Sequence, residues 1–234
     1  MKEIHGNLSG SLGKTLVESD LGNITTEIVE SVLDETLLEN SLLKEIPILS
    51  SLVSIGKTTA SVKNYLFTKK LLAFLSGLSE VSHEKRKEAI SRVNSDPKYK
   101  QSVGSKLLFI IESSQDHLTA KLISKLFVAF IKGELDYKEF CKSSLIINRL
   151  DYYDLETFLS LPDDAYGRHG TEGIGLEEVD NFLINAGLCS AEPGEIIVED
   201  QEDWKMPNKY VVEGGRMIIY RTLIGTKIYR ILSS

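Results

Sequence analysis

Two Gly-Lys-Thr triplets, Gly13-Lys14-Thr15 and Gly56-Lys57-Thr58, are the first places where residue type and spacing could do chemistry. In a phosphate-binding loop a further glycine precedes the triplet, so that backbone amides converge on phosphate oxygens, and the loop follows a strand. The positions where that glycine belongs hold Leu8 and Ser51, and neither triplet follows a strand-like run. His83-Glu84 is half of a zinc-protease helix signature, but the second histidine would fall at Lys87. His5 and His117 stand apart from other ligand types, and no Cys-x-x-Cys pair exists. Asp163, Asp164, His169 and Glu172 gather among Gly167, Gly170, Gly173 and Gly175. No metal-ligand spacing links them, and the stretch reads as a solvated loop.

The reading with most enzymatic content is a metal-dependent nuclease. Pro162-Asp163 and Asp203-Trp204-Lys205 resemble in outline a core in which carboxylates hold Mg²⁺ and a lysine orients the attacking water. That core sits on adjacent strands, whereas Asp203 and Lys205 fall in an acidic loop beside Pro207. No Gly-x-Ser-x-Gly nucleophile elbow is present. Cys141 and Cys189 are too few and too far apart for a disulfide framework, and Cys141 beside Phe140 reads as a buried thiol in a reducing cytosol. The expectation is therefore a chain with no catalytic, cofactor-binding or metal-binding residues, no cofactor and no enzymatic activity.

The elements that would position any such residue are mostly helices. Residues 1–22 are rich in Gly, Ser and Asn and read as a loose leader. From Ile24 through Leu43 apolar residues recur at three- and four-residue spacing with acids between them, as on an amphipathic helix ending at Ile46-Pro47. Pro47 suits the first turn of the next helix. Ser82, Asp116, Asp136 with Glu139, and Asp151 are placed as N-terminal caps, and Gly133 as a left-handed terminator. Asp96-Pro97 divides two further helices. Residues 47–161 thus read as a helical bundle.

After Pro162 the texture changes. A helix from Leu176 to Ala186-Gly187 precedes candidate strands at Glu195–Val198, Tyr210–Val212 and Met217–Tyr220, and a closing helix runs from Thr222 to Leu232. Helix, hairpin, helix resembles a winged helix-turn-helix. The fold class expected is mostly α, a helical bundle followed by a small α+β winged-helix-like domain, divided as 1–46, 47–161 and 162–234. The longest charge-free apolar run in the helical part, Ile46 to Gly56, is far short of the roughly 20 residues a membrane-spanning helix needs. No secretory signal is evident in the first residues, and the expected location is cytoplasmic.

The formal net charge of −7 conceals a segregation. Residues 1–56 carry 3 Lys/Arg against 9 Asp/Glu, residues 57–149 carry 17 against 9, and residues 150–234 carry 7 against 16. A basic middle between acidic ends can dock on its own acids, on another copy or on an anionic partner. Lys57, Lys63, Lys69 and Lys70 lie among apolar residues, which admits a membrane-surface effector or a nucleic-acid surface, against a solvated bundle face or pairing with the acidic helix. For a nucleic-acid-binding winged-helix regulator, a recognition helix brings Arg or Lys to phosphates. The helix in that place, Leu176 to Phe182, brings three acids and no base. Arg216, Arg221, Lys227 and Arg230 come later, in a segment that stays strongly acidic. A protein partner, or self-association into a homo-oligomer, fits these charges better.

Residues 47–160 also carry a family resemblance. Ile46-Pro47-Ile48, the run Lys70 to Leu75 with Leu78 and Glu80, Lys125-Leu126-Phe127, the run Ile131 to Phe140, Arg149-Leu150 and Asp154-Leu155 are its residues. In this order they resemble a bacterial prophage- and defence-associated helical domain of unknown function, of the abortive-infection alpha type. Ala186-Gly187-Leu188 and Gly225 to Tyr229 are similar to that family's winged-helix tail. The resemblance implies a bacterial cytoplasmic protein acting in conflict with phage, and transfers no catalytic residue.

Overall fold

The computed structural model describes residues 2–30, 45–56, 62–160, 178–200, 210–214 and 217–233. The protein is mostly helical, a helical bundle followed by a small α+β unit. The chain divides into two compact units, Met1–Asn148 and Arg149–Ser234.

The first unit holds α1 (Lys2–Glu18), α2 (Thr26–Glu30), α3 (Pro47–Gly56), α4 (Val62–Ser76), α5 (His83–Asn94), α6 (Val103–Ser113), α7 (His117–Lys132) and α8 (Tyr137–Ile147). The expected loose leader is corrected here, because α1 is an integral helix. Leu8, Leu12 and Leu16, one helical turn apart, form its buried stripe. A Cβ at Gly104 of α6 would lie 2.7 Å from the Ser9 carbonyl oxygen and 2.9 Å from the Gly13 nitrogen, so the backbone of α1 passes where Gly104 has no room for a side chain. Buried Thr15 turns its hydroxyl to the start of α3, accepting from the Ile48 amide at 3.0 Å. The acidic amphipathic segment begins as α2, with Ile24 and Val29 buried, and positions 31–44 lie outside the described residues.

Helix α4 is the axis of the bundle. Leu71 to Leu75 are five consecutive buried residues, so the second half of this helix is covered all round. It packs most heavily on α7, and Gly77 just past its end sits against Ser124 of α7 where no Cβ would fit. Phe127 is the hub, with ring centroids 5.7 Å from Phe74, 5.5 Å from Phe130 and 5.2 Å from Phe140.

The caps fall where their residue types predict. Ser82 caps α5, Asp116 caps α7, and Gly133 ends α7 in the left-handed region at φ 83°. Asp136 and Glu139 form a reciprocal capping box, each side chain accepting from the other's backbone amide. One boundary differs. Helix α6 starts at Val103 under a Ser102 cap rather than at Asp96-Pro97, and Asn94 Oδ1 accepts the Val103 amide at 2.9 Å.

The second unit holds α9 (Tyr152–Ser160), α10 (Glu178–Ala186), β1 (Cys189–Pro193), β2 (Ile196–Asp200), β3 (Tyr210–Gly214), β4 (Met217–Arg221) and α11 (Leu223–Leu232). Thus α9, expected to close the bundle, belongs with the small unit. Its Phe158 stacks edge-on against Tyr229 of α11 at 5.8 Å, and buried Arg221 lies over the Tyr229 ring at 3.6 Å. Strand β1 pairs with β4 and β2 with β3, both antiparallel. Pro193 faces Met217 and, three residues on in each strand, Ile196 faces Gly214, so one register runs through both ladders. Gly187 at φ 95° turns the chain from α10 into β1. Thr222 caps α11 and fastens it to the sheet, with its amide donating to the Leu188 carbonyl at 2.9 Å and its hydroxyl donating to the Gly187 carbonyl at 2.9 Å.

Candidate interaction surface

In the bundle, Glu30, Lys69 and Lys70 are turned to internal use. Glu30 of α2 takes Lys69 Nζ at 2.9 Å on one carboxylate oxygen and His117 Nε2 at 3.2 Å on the other. The Lys69 hydrogen bond, with the charges of Lys69 and His117, outweighs desolvation and holds the Glu30 carboxyl below its ordinary range. One end of the acidic segment is thereby pinned to the basic middle. Lys70 reaches from α4 to the C-terminal end of α6, donating to the Glu112 carbonyl at 3.2 Å and to the Ser114 carbonyl. Burial pulls its ammonium below the usual lysine value against the opposing charges of Asp116 and Glu112. Two of the four lysines that suggested a membrane or nucleic-acid face are therefore engaged within the bundle, while Lys63 is exposed and Lys57 lies outside the described residues.

A cleft of about 310 Å³ opens beside the start of α5, lined by Glu18, Asp20, Ser82, His83, Glu84 and Arg86 among others. Arg86 is 2% exposed, and its Nη2 donates to the Ser19 carbonyl at 2.6 Å. Among the described residues its Nε and Nη1 have no hydrogen-bond partner. Burial lowers its pKa, against the charges of Asp20 and Glu84. His83 Nδ1 lies 3.0 Å from Glu84 Oε1, a neighbour contact at the helix start rather than half of a zinc site. The first Gly-Lys-Thr triplet lies inside α1, with Thr15 buried, so its amides are helical and cradle nothing.

Burial pushes the Cys141 thiol up despite the charge of Lys106, the direction opposite to that of an activated nucleophile. Among the described residues no group of His, Cys, Asp and Glu is arranged to hold a metal ion. Asp163, Asp164, His169, Glu172, Asp203 and Lys205 lie outside the described residues.

The second unit differs. Along β1 and β2, burial gives way to exposure. Cys189, Ile219 and Arg221 are buried at the root, and Glu192 and Pro193 are exposed beyond it, with Glu192 accepting from the Tyr220 hydroxyl. Farther out Ile196, Ile197 and Val198 are 59%, 50% and 60% exposed. Successive strand residues point to opposite faces, so three in a row leave both faces of β2 open. Arg221 lies with its guanidinium over Tyr229 and is not available to a phosphate; Arg230 remains exposed on α11. Residue pattern revealed the strand. It could not reveal that the strand's branched residues are uncovered, because an alternating or continuous aliphatic run normally signals burial.

No family model, curated protein or solved structure matches this chain. No helix among the described residues is long and apolar enough to cross a membrane.

Proposed function

We propose that this chain is a non-enzymatic interaction and assembly protein, whose small C-terminal unit presents its ribbon to another protein or to a second copy. The observation that carries the reading is the exposed triplet Ile196, Ile197 and Val198. Branched aliphatic residues on an exposed strand are an aggregation liability unless something covers them. A winged-helix-like unit used for protein contact is part of the proposal and is supported by the helix–ribbon–helix order. Acid excess opposes its use on nucleic acid, as does the engagement of Arg221. The family resemblance at residues 47–160 adds the setting, a bacterial cytoplasm and an abortive-infection type of antiviral defence.

The test is the mass of the native complex isolated from the protein's own cell, for the wild-type chain and for Ile196→Lys/Val198→Lys. The proposal expects a mass above one chain that falls to one chain in the variant. A wild-type chain isolated alone at high concentration refutes it.

A further inference from the structure

We propose that β2 is the docking edge for an extended, basic segment of a partner protein, which adds to the ribbon as a further strand. This rests on the interaction reading and names its partner chemistry. Three observations converge. First, β2 pairs on one side with β3, and among the described residues no strand pairs with its other side. A two-stranded ribbon is marginal in water, and a third strand would satisfy the open amides and carbonyls. Second, the exposed Ile196, Ile197 and Val198 offer apolar surface on both faces, which an added strand flanks with its own alternating side chains. Third, residues 192–200, which include β2, contain four Asp/Glu and no Lys or Arg. Acids around an aliphatic edge favour a cationic strand and repel phosphates and anionic lipid.

The same charges argue against a second copy on this edge. Two copies of β2 would bring like-charged segments together, which opposes a self-complementary contact. The chain's own basic middle supplies no such segment either, since its described residues are predominantly helical and Lys69 and Lys70 are already engaged.

The experiment uses the full-length protein and a short fluorescent peptide of alternating lysine and valine, read by anisotropy at low and physiological salt. Controls are the matching glutamate–valine peptide and a lysine–valine peptide interrupted by a central proline. The lysine–valine peptide is expected to bind at least about tenfold more tightly than either control, with affinity falling as salt rises. Glu199→Lys/Asp200→Lys should reverse the charge preference, and Val198→Lys should weaken lysine–valine binding about tenfold. The hydrogen exchange of residues 196–200 should slow when the peptide binds. Equal binding of the proline-interrupted peptide, or an unchanged preference in the charge-reversed variant, overturns the proposal. If the peptide fails to bind while the native complex still depends on Ile196 and Val198, strand addition by a basic segment is wrong and the assembly reading stands. A monomeric native chain removes both.

Discussion

In residues 1–148, Glu30 joins Lys69 and His117, Lys70 covers the end of α6, and Asp136 and Glu139 close each other's backbone groups. In residues 149–234, Ile196 to Val198 stand in solvent although the same unit has a well-packed root around Phe158, Arg221 and Tyr229. The difference separates two uses of one residue vocabulary. Glu30, Lys69, Lys70 and His117 join helices of the bundle to one another, and their partners lie inside the unit. Ile196, Ile197 and Val198 are exposed, with neighbours along the strand and no cover above or below among the described residues. An exposed Leu on a helix is ordinary, but three consecutive branched residues open on both faces of a ribbon call for a partner.

The comparison breaks most readily at the cores. Leu16→Ala, at a position with 0% exposure, should cost about 2–5 kcal/mol in urea unfolding, whereas Val198→Thr should stay within about 0.5 kcal/mol. Equal effects would mean that α1 is not part of the bundle or that the ribbon tip is covered. Gly104→Ala should cost about 1–3 kcal/mol in the same assay, because its Cβ meets the backbone of α1.

Arg86 sharpens the contrast from inside the bundle. Arg86→Met should leave stability unchanged or raise it by about 1 kcal/mol, since methionine fills volume without burying an incompletely paired cation, whereas Arg86→Ala should lower it. A marked loss in the methionine variant would show that the guanidinium has a partner in solution. Asp136→Ala should cost about 1 kcal/mol through loss of the capping box.

The smallest effect concerns pH. A folded-state carboxyl held below its unfolded value stabilises the fold above the unfolded pKa, and that stabilisation is lost as pH falls through the folded value. The Glu30 contribution should therefore be present above an unfolded value of about 4.5 and fade below it. In thermal melts Glu30→Gln should lower the midpoint slightly at neutral pH and converge with wild type in acid. Divergence in acid instead would reverse the assigned sign.

Much of the bundle was legible because its signals are local. Ser82, Asp116, Gly133 and the Asp136–Glu139 pair act on backbone groups within one turn, and residue type at that spacing suffices. The leader was misread because Gly13 and Ser9 are loop formers in isolation, whereas what holds α1, the buried Leu8, Leu12 and Leu16 and the close approach of Gly104, comes from contacts far away in sequence. Strand β1 was missed because Cys-Ser-Ala-Glu-Pro lacks the branched and aromatic residues that mark strands, and its place is set by pairing with β4. The start of α6 was misplaced because Asn94, from the preceding helix, holds the Val103 amide. At the ribbon, Ile196 to Val198 were legible as a strand, yet exposure is a property of what fails to pack on them. Arg221 was weighed as a phosphate ligand, and its stacking on Tyr229 depends on α11 folding back on the sheet.

Hydrogen exchange on the native complex, compared with the isolated chain, reads the ribbon edge itself. Amides of residues 196–200 that face away from β3 should exchange rapidly in the isolated chain and become protected in the complex, while those of α7 are protected equally in both. Fast exchange of these amides in both samples would contradict the proposed docking edge.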